Sequence, residues 1–301
     1  MFHHFHGKNH LPAQGSLSTT NFQRMLDWLD QRYNLIGANE YLYKFNNDAL
    51  RHKDICLSFD DALLCQYDLA IPVLNRRKLD VFFFVHSAVF SGNFDNLEIF
   101  RHFRTNSFNS IEDFYKQFFS LVDSKFADNI ARHKKYFSAR DYLSAFPFYS
   151  KNDKWFRYIR DQVLGPIHYE EIMLSLMSKK KFRVESIIKN LWMSESNLMD
   201  IYNQGHIIGL HSFDHPTQIS KMSYEEQKQQ YEKNYNHLNE LVGDIVTMAH
   251  PCGDYNEHTL KILSDLGILL GFRSSLSFKD IGGRFEVPRN DHANIFKLMQ
   301  K

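Results

Sequence analysis

The chain has 301 residues, of which 43% are hydrophobic, so it can bury one large core or a core with an appended unit. Lys and Arg number 36 against 35 Asp and Glu, and the formal charge of +1 gives no electrostatic case for binding nucleic acid or an anionic membrane. Three cysteines do not make a disulfide framework, and no apolar run approaches the roughly 18–20 residues that span a bilayer. Because the first residues also lack the basic and apolar regions of a signal peptide, we expect a cytoplasmic protein without a membrane span.

Strand and helix patterns alternate in the first part of the chain. A helix is predicted near Thr20, because Phe22 and the apolar residues up to Leu29 recur with helical spacing. The predicted elements that follow are a buried strand at 55–59, a helix at 63–78 and a second buried strand at 80–85. This order indicates a β-α-β unit.

Residues 86–203 have mostly helical patterns. Ser110 is a predicted N-cap, and one face of the helix that follows carries Ile111, Phe114, Phe118 and Leu121. No Pro-rich or Gly/Ser-rich linker marks either end of the segment. We therefore predict a helical insertion, with most of its aromatic residues in its own small core.

Alternation returns after residue 204. Gly205–Leu210 is a predicted strand, and Ser223–Glu226 has the spelling of a capping box that opens a helix. The predicted elements beyond it are a strand at 245–248, a helix at 258–266 and a strand at 268–272. Such alternation indicates a parallel sheet or barrel.

Two groups of chemically active residues follow predicted strands. Asp60 and Asp61 end the first of these strands, and His211 and His215 follow a later one. An oxygen of Asp61 with two imidazole nitrogens is a ligand set that suits zinc and similar metals, and an open coordination position makes such a site catalytic. Pro216 argues against a helical histidine pair, because the residue before proline avoids the helical region. Asp60 is then well placed to take a proton from a water, and the pattern predicts metal-assisted hydrolysis.

These motifs resemble those of the polysaccharide deacetylases, also called the NodB-homology or carbohydrate esterase family 4 domain. The family's Thr/Ser-Phe-Asp-Asp-Gly motif is similar to residues 58–62, Ser-Phe-Asp-Asp-Ala, and its His-Ser/Thr-x-x-His motif to residues 211–215, His-Ser-Phe-Asp-His. Residues 249–255 resemble the third motif, with its Pro-aromatic-Gly core, while residues 1–5 and 287–291 resemble the first and last strands of divergent members. The resemblance covers about residues 1–90 and 200–295.

The resemblance implies an irregular (β/α)7 barrel formed by residues 1–85 and 204–301, with residues 86–203 as a mostly helical insertion packed over the barrel mouth. It implies one divalent metal, Zn²⁺ in the first place with Co²⁺, Ni²⁺ or Mn²⁺ as alternatives. The implied metal ligands are Asp61, His211 and His215. Asp60 is the implied general base, and the backbone N–H of Cys252 is the implied oxyanion donor. His3 and His292 are the candidates for the general acid, and we favour His3 because a strand end would hold it rigidly.

Three residues depart from the family motifs. Ala62 replaces a glycine, which is a mild change if its φ is not positive. Cys252 replaces an aromatic residue, and Ala249 replaces an arginine that orients the catalytic aspartate in many members. Arg289 is a candidate for that task, since a planar, permanently charged guanidinium keeps a carboxylate ionised, and a surface salt bridge is the alternative.

By its resemblance, the chain is predicted to remove an N-acetyl group from an amino sugar. A cytoplasmic location favours a nucleotide-linked or lipid-linked precursor of surface-polysaccharide synthesis as the carbohydrate substrate. The alternatives are hydrolysis of a formyl or O-acetyl group, a catalytically silent carbohydrate-binding barrel, and a structural metal in an unrelated α/β protein. Within the insertion, sugar stacking by Trp155, Phe156 or Tyr158 and a phosphate contact by Lys179–Lys181 are also open.

Overall fold

The computed structural model of the protein describes residues 1–143, 149–274 and 282–300. The chain forms two compact units, which we call the barrel unit (residues 1–95 and 188–301) and the helical unit (residues 96–187). Residues 86–95 and 188–203, which the sequence analysis assigned to the insertion, lie in the barrel unit. The placement of the insertion over the barrel mouth stays a prediction.

The described elements are short strands and twelve α-helices. The strands are β1 (Phe5–His6), β2 (Leu17–Ser18), β3 (Asn34–Leu35), β4 (Asp54–Ile55), β5 (Ser58–Asp60), β6 (Phe82–Val85), β7 (Ile207–Leu210), β8 (Thr247–Ala249) and β9 (Leu270–Phe272). The helices are α1 (Thr19–Asp30), α2 (Ala38–Asn46), α3 (Ile71–Arg77), α4 (Asn96–Asn106), α5 (Ile111–Lys134), α6 (Lys151–Tyr158), α7 (Gly165–Lys179), α8 (Ile188–Leu191), α9 (Glu195–Asn203), α10 (Tyr224–Val242), α11 (Glu257–Asp265) and α12 (His292–Leu298).

A parallel sheet in the order β5-β6-β7-β8-β9 is the centre of the barrel unit. Single parallel bridges extend it at both edges, from Phe2 to Phe59 and from Phe272 to Val287. The two added positions meet, because the backbone N of Met1 donates to the oxygen of Asn290 at 2.6 Å. Five strands and two bridge positions therefore complete an irregular ring, and the predicted α/β barrel fold is confirmed.

Alternation along the strands separates the polar residues of β5 from its apolar residue. Phe59 stacks on Phe83 of β6 with ring centroids 5.0 Å apart, whereas Ser58 and Asp60 take the opposite side of the strand. An apolar cluster packs α2 against the sheet and comprises Ile36, Ala38, Tyr41, Phe82, Phe84, Ala249, Leu270 and Phe272. Because all five sheet strands are parallel, their carboxyl ends lie at one edge, where the site residues gather.

The connection after β5 is helical from residue 64 to residue 77, in agreement with the predicted helix at 63–78. Residues 66–70 form a π-helical turn inside this segment, and α3 follows from Ile71. Before that turn, Asp61 and Ala62 adopt φ values of +77° and +52°. The condition under which Ala62 would be a mild replacement for glycine is therefore not met, since an L-residue in the left-handed region costs roughly 1–2 kcal/mol.

The helical unit has an aromatic core of its own. Ser110 caps α5, as predicted, by accepting a hydrogen bond from the Asp113 backbone N at 3.1 Å. Phe114 and Phe118 of this helix pack on Phe156 of α6. Phe156 is fully buried, so it is not available for stacking on a sugar ring. Within the residues that the structure describes, no helix is long and apolar enough to cross a membrane.

Candidate active site

Asp60, the last residue of β5, is held by a buried guanidinium. Arg289 donates from Nη1 to Oδ1 of Asp60 at 2.6 Å and from Nη2 to Oδ2 at 2.8 Å. The same guanidinium donates to Ser58 Oγ at 3.1 Å and to the Arg273 backbone oxygen at 3.3 Å. Asp60 and Arg289 are 2% and 6% exposed, so this contact is a buried, bidentate ion pair and not a surface salt bridge.

The ion pair determines the protonation state of Asp60. Burial alone would raise the pKa of this carboxyl, because a dry environment disfavours its charged form. The positive charges of Arg289, His211 and His3 outweigh burial, and the pKa of Asp60 is lowered from its usual value. The carboxylate is therefore ionised at neutral pH while remaining shielded from bulk water.

Asp61, His211 and His215 converge at the edge of the sheet. Oδ1 of Asp61 lies 3.5 Å from Nε2 of His211 and 3.6 Å from Nε2 of His215. One ligand atom from each of the three residues falls within 4.8 Å of the others. Ligand atoms bound at about 2.1 Å to a tetrahedral zinc ion lie roughly 3.4 Å from one another. The separations therefore fit a single divalent cation.

The hydrogen bonds around these three residues also fit a cation. Oδ1 of Asp61 is buried and has no hydrogen-bond partner of ordinary geometry, which leaves an acceptor directed at the two imidazoles. The Nδ1 atom of His211 lies 2.8 Å from the backbone oxygen of Ala249, so it carries the proton and leaves Nε2 as a lone-pair donor. The Nδ1 atom of His215 lies 3.8 Å from a carboxylate oxygen of Asp95. A donor set of one carboxylate and two outward Nε2 atoms is what zinc accepts.

The electrostatics of the three residues suit a bound cation, since the Asp61 carboxylate is anionic, His215 is neutral and a positive charge is favoured at His211. Burial opposes ionisation of Asp61, but His211, His215 and His3 hold the pKa of this carboxyl well below its usual value. Burial lowers the pKa of His215 to about 4, so this imidazole is neutral at pH 7. For His211, burial also lowers the pKa, but Asp61 and Asp60 outweigh it and raise the pKa, as expected where a positive charge is favoured.

The two candidate general acids lie in different environments. Nε2 of His3 is 3.6 Å from Oδ2 of Asp60 and 4.0 Å from Oδ2 of Asp61, so His3 lies beside both carboxylates. Nε2 of His292 lies 2.8 Å from the backbone oxygen of Gly15, and its ring stacks on Phe2. The structure therefore brings His3, and not His292, into contact with the aspartates.

Cys252 lies in the short 3-10 turn that follows β8, three residues beyond the Ala249 oxygen that His211 contacts. Its φ is +53°, in the left-handed region. His211 and His215 lie in a loop and not in a helix, as Pro216 predicted.

Four polar residues at the site were missed by the sequence analysis. Ser58 belongs to the first motif and had no predicted role, although its hydroxyl accepts a hydrogen bond from Arg289. Asp95 lay in the segment assigned to the insertion. Gln230 and Asn234 of α10 bond to the backbone of the histidine loop. The sequence did contain one indication of these contacts, because Asn234 is a polar residue on the buried face of a predicted amphipathic helix.

A family comparison and a structural comparison give consistent results. The sequence model of the polysaccharide deacetylase family matches residues 166–271, about a third of the chain. This range includes the second and third motifs but not the Asp60–Asp61 pair. A search of curated proteins by sequence found no match.

Solved structures share the fold over nearly the whole chain. The deacetylase PplD of Streptococcus pyogenes, solved with acetate, has a TM-score of 0.58 and 14% identity, covering 99% of this chain and 94% of that one. IcaB of Ammonifex degensii has a TM-score of 0.56 and 16% identity, covering 98% and 94%. A de-N-acetylase of Aggregatibacter actinomycetemcomitans has a TM-score of 0.55 and 13% identity, covering 96% and 92%.

Proposed function

We propose that this chain is a polysaccharide deacetylase, a metal-dependent hydrolase that removes the N-acetyl group of an amino sugar, and the family match at residues 166–271 supports this proposal. The observation that carries the proposal is the difference between two adjacent carboxylates. Asp60 is buried and paired with Arg289, while Asp61 directs an unpartnered oxygen at His211 and His215. In metal-assisted amide hydrolysis one carboxylate can serve as the general base and another as a metal ligand, and the two aspartates have the environments that these two roles need.

The roles of the side chains follow from their contacts. A divalent cation bound by Asp61, His211 and His215 would polarise the amide carbonyl and lower the pKa of water. Asp60, kept ionised and immobile by Arg289, accepts the proton of the attacking water at Oδ2, the oxygen that faces His3. Nε2 of His3 then donates a proton to the leaving amine. By analogy with the family, the backbone N–H of Cys252 donates to the tetrahedral oxyanion.

The substrate class rests on the relatives and on the predicted location. PplD is named a deacetylase and the Aggregatibacter protein a de-N-acetylase, which supports an N-acetylated carbohydrate as substrate. A nucleotide-linked or lipid-linked precursor of surface-polysaccharide synthesis follows only if the protein is cytoplasmic, and cell fractionation would test that location. Zn²⁺ is the proposed metal, on the chemistry of the donor set.

Acyl release by the zinc-loaded protein tests the proposal. We expect acetate from one or more members of a panel of N-acetylated nucleotide-sugars and oligosaccharides, and at least about a hundredfold loss in Asp60→Asn, because a general base contributes roughly 10²–10⁴-fold. Asp244→Asn is a matched control, since Asp244 is exposed on the loop after α10. N-formyl and O-acetyl substrates in the same panel would reveal another acyl specificity. A zinc-loaded protein that releases no acyl group but binds members of the panel would favour the silent carbohydrate-binding barrel, and a protein that binds no metal would refute the proposal outright.

A further inference from the structure

Two amide side chains of α10 hold the loop that carries both histidines, residues 211–215, which we call the histidine loop. Asn234 Oδ1 accepts from the backbone N of His211 at 3.0 Å. One turn earlier on the same helix, Gln230 Oε1 accepts from the backbone N atoms of Phe213 and Asp214, both at 3.1 Å. Residues four apart lie on one face of a helix, so α10 presents two acceptors in a row to the histidine loop.

The histidine loop needs this support because its backbone is strained. Ser212 and His215 have φ values of +60° and +58°. Each L-residue in the left-handed region costs roughly 1–2 kcal/mol, and such conformations persist only where their surroundings determine them. Ser212 follows His211 directly, and His215 is itself one of the two strained residues. The strained backbone therefore sets the direction of both imidazoles. Without bonds from outside the loop, relaxation of either residue would turn its neighbouring imidazole.

Asn234 is itself fixed on every side. It is fully buried, and its Nδ2 donates to the Val85 backbone oxygen at 3.0 Å and to Ser87 Oγ at 2.9 Å. The orientation of the amide is unambiguous, because the His211 N–H can only donate and the Val85 oxygen can only accept. Three of its four possible hydrogen bonds are therefore made.

The identity of residue 234 has no explanation in packing. It lies on the buried face of α10, between Tyr231 and Leu238, where an apolar residue would avoid the cost of burying an amide. Asparagine is also a poor helix former compared with leucine. The bonds to His211, to Val85 of β6 and to Ser87 account for an amide there, since they join α10, the sheet and the histidine loop.

We propose that Gln230 and Asn234 are positioning residues that set the metal affinity of the site by holding the backbone of the histidine loop. The inference rests on the metal site of the proposed function. Neither side chain is within the ligand set, and both act through backbone N–H groups. Their role is to keep the two Nε2 atoms in the geometry that the cation requires before it binds.

Paired substitutions at Gln230 test this role, because Gln230 is only half-buried and its variants should fold. Gln230→Met removes the acceptor at nearly constant length, and Gln230→Glu keeps it. We expect zinc binding, measured by competition with a chelator, to weaken about 10–100-fold in Gln230→Met, as for other partners that orient metal ligands. Gln230→Glu should stay within about threefold of the wild type. Gln229→Met, an exposed neighbour on the same helix, is the matched control and should be unchanged.

A purely structural role would have a different signature. Gln230→Met would then lower the free energy of unfolding of the metal-free protein, while its zinc affinity and the visible spectrum of its cobalt(II) form stayed as in the wild type. That outcome would overturn the inference. Asn234→Asp keeps the acceptor for His211 but loses both donated bonds, so it should weaken zinc binding through a second route.

The result is separable from the proposed reaction, because it is read from metal affinity and not from turnover. Zinc binding without acyl release in the wild type, together with weak binding in Gln230→Met, would support the inference and count against the proposed activity. A wild-type protein that binds no zinc would overturn both.

Discussion

Replacement of Arg289 is the sharpest test of the proposed active site. The guanidinium donates two hydrogen bonds to Asp60 and one to Ser58, and each of the three residues is at most 6% exposed. Arg289→Met leaves the Asp60 carboxylate buried without its partner. Arg289→Lys keeps a positive charge, but a single ammonium cannot reproduce a fork that bonds both carboxylate oxygens.

The expected magnitudes follow from these contacts. Removal of one partner of a buried ion pair costs about 3–5 kcal/mol, so Arg289→Met should lower the free energy of unfolding by that amount. Loss of a hydrogen bond to a charged group costs about 1.5–3 kcal/mol, which is the expected cost of Arg289→Lys. The lysine variant should fold, and its kcat/KM should fall roughly a hundredfold, or about 2.7 kcal/mol, because Asp60 is no longer held in one orientation.

The direction of the pH effect is also determined. Burial raises the pKa of Asp60 and Arg289 lowers it, so weakening the ion pair raises that pKa. The carboxylate is then ionised over a narrower range, and the acidic limb of kcat/KM against pH should move to higher pH in Arg289→Lys. Arg284→Lys, at an exposed arginine five residues earlier, is the control. Activity within threefold of the wild type, with an unmoved acidic limb, would refute the assigned role of Arg289.

Two further predictions concern histidines. His3→Gln should reduce kcat/KM by about 10²-fold or more through loss of the proposed general acid. His292→Gln, which changes the bond to Gly15 and the stacking on Phe2 but no contact with the aspartates, should retain activity within tenfold, and the reverse order of losses would exchange the two roles. Burial lowers the pKa of His206 to about 4, and its neutral Nδ1 accepts a hydrogen bond from the Val81 backbone N at 3.1 Å. Between pH 6.5 and 4 the unfolded state therefore binds one more proton at this residue than the folded state does. The free energy of unfolding should fall as the pH drops through that range. The free energy of unfolding of the metal-free protein, measured with urea at several pH values near 5.5, should change with pH by about 1 kcal/mol per pH unit less in His206→Asn than in the wild type. An equal pH dependence in the two proteins would contradict the assignment.

The position of the site residues was predictable because local patterns determine it. A short apolar run followed by Asp60 and Asp61 predicts a strand end, and a second run predicts the same for His211. Carboxyl ends of parallel strands share one edge, so residues 150 apart in the chain meet without any knowledge of the intervening segment. Pro216 excluded a helical histidine pair because a proline keeps the residue before it, here His215, out of the helical region.

Features that depend on long-range contacts were not predictable. The ring is completed by single bridges at Phe2 and Val287, where strands were expected from the family resemblance alone and not from a strand pattern in the residues. The left-handed φ of Ala62 follows from how the chain leaves β5, and alanine gives no indication of it. The boundaries of the helical unit, at 95/96 and 187/188, fall inside segments with continuous helical or loop patterns and no linker composition.

The departures from the family motifs bear on the silent-barrel alternative. Ala249 removes an arginine that orients the catalytic aspartate in many members, yet Arg289 supplies a bidentate guanidinium to Asp60 from another part of the chain. A buried ion pair adds little to the free energy of unfolding, since apolar residues of the same volume often stabilise a protein equally well or better. A barrel that only bound sugars would have no use for an ionised carboxylate buried beside the three candidate metal ligands. The Asp60–Arg289 pair is understandable if the carboxylate must accept a proton, and this reasoning favours a hydrolase over a binder.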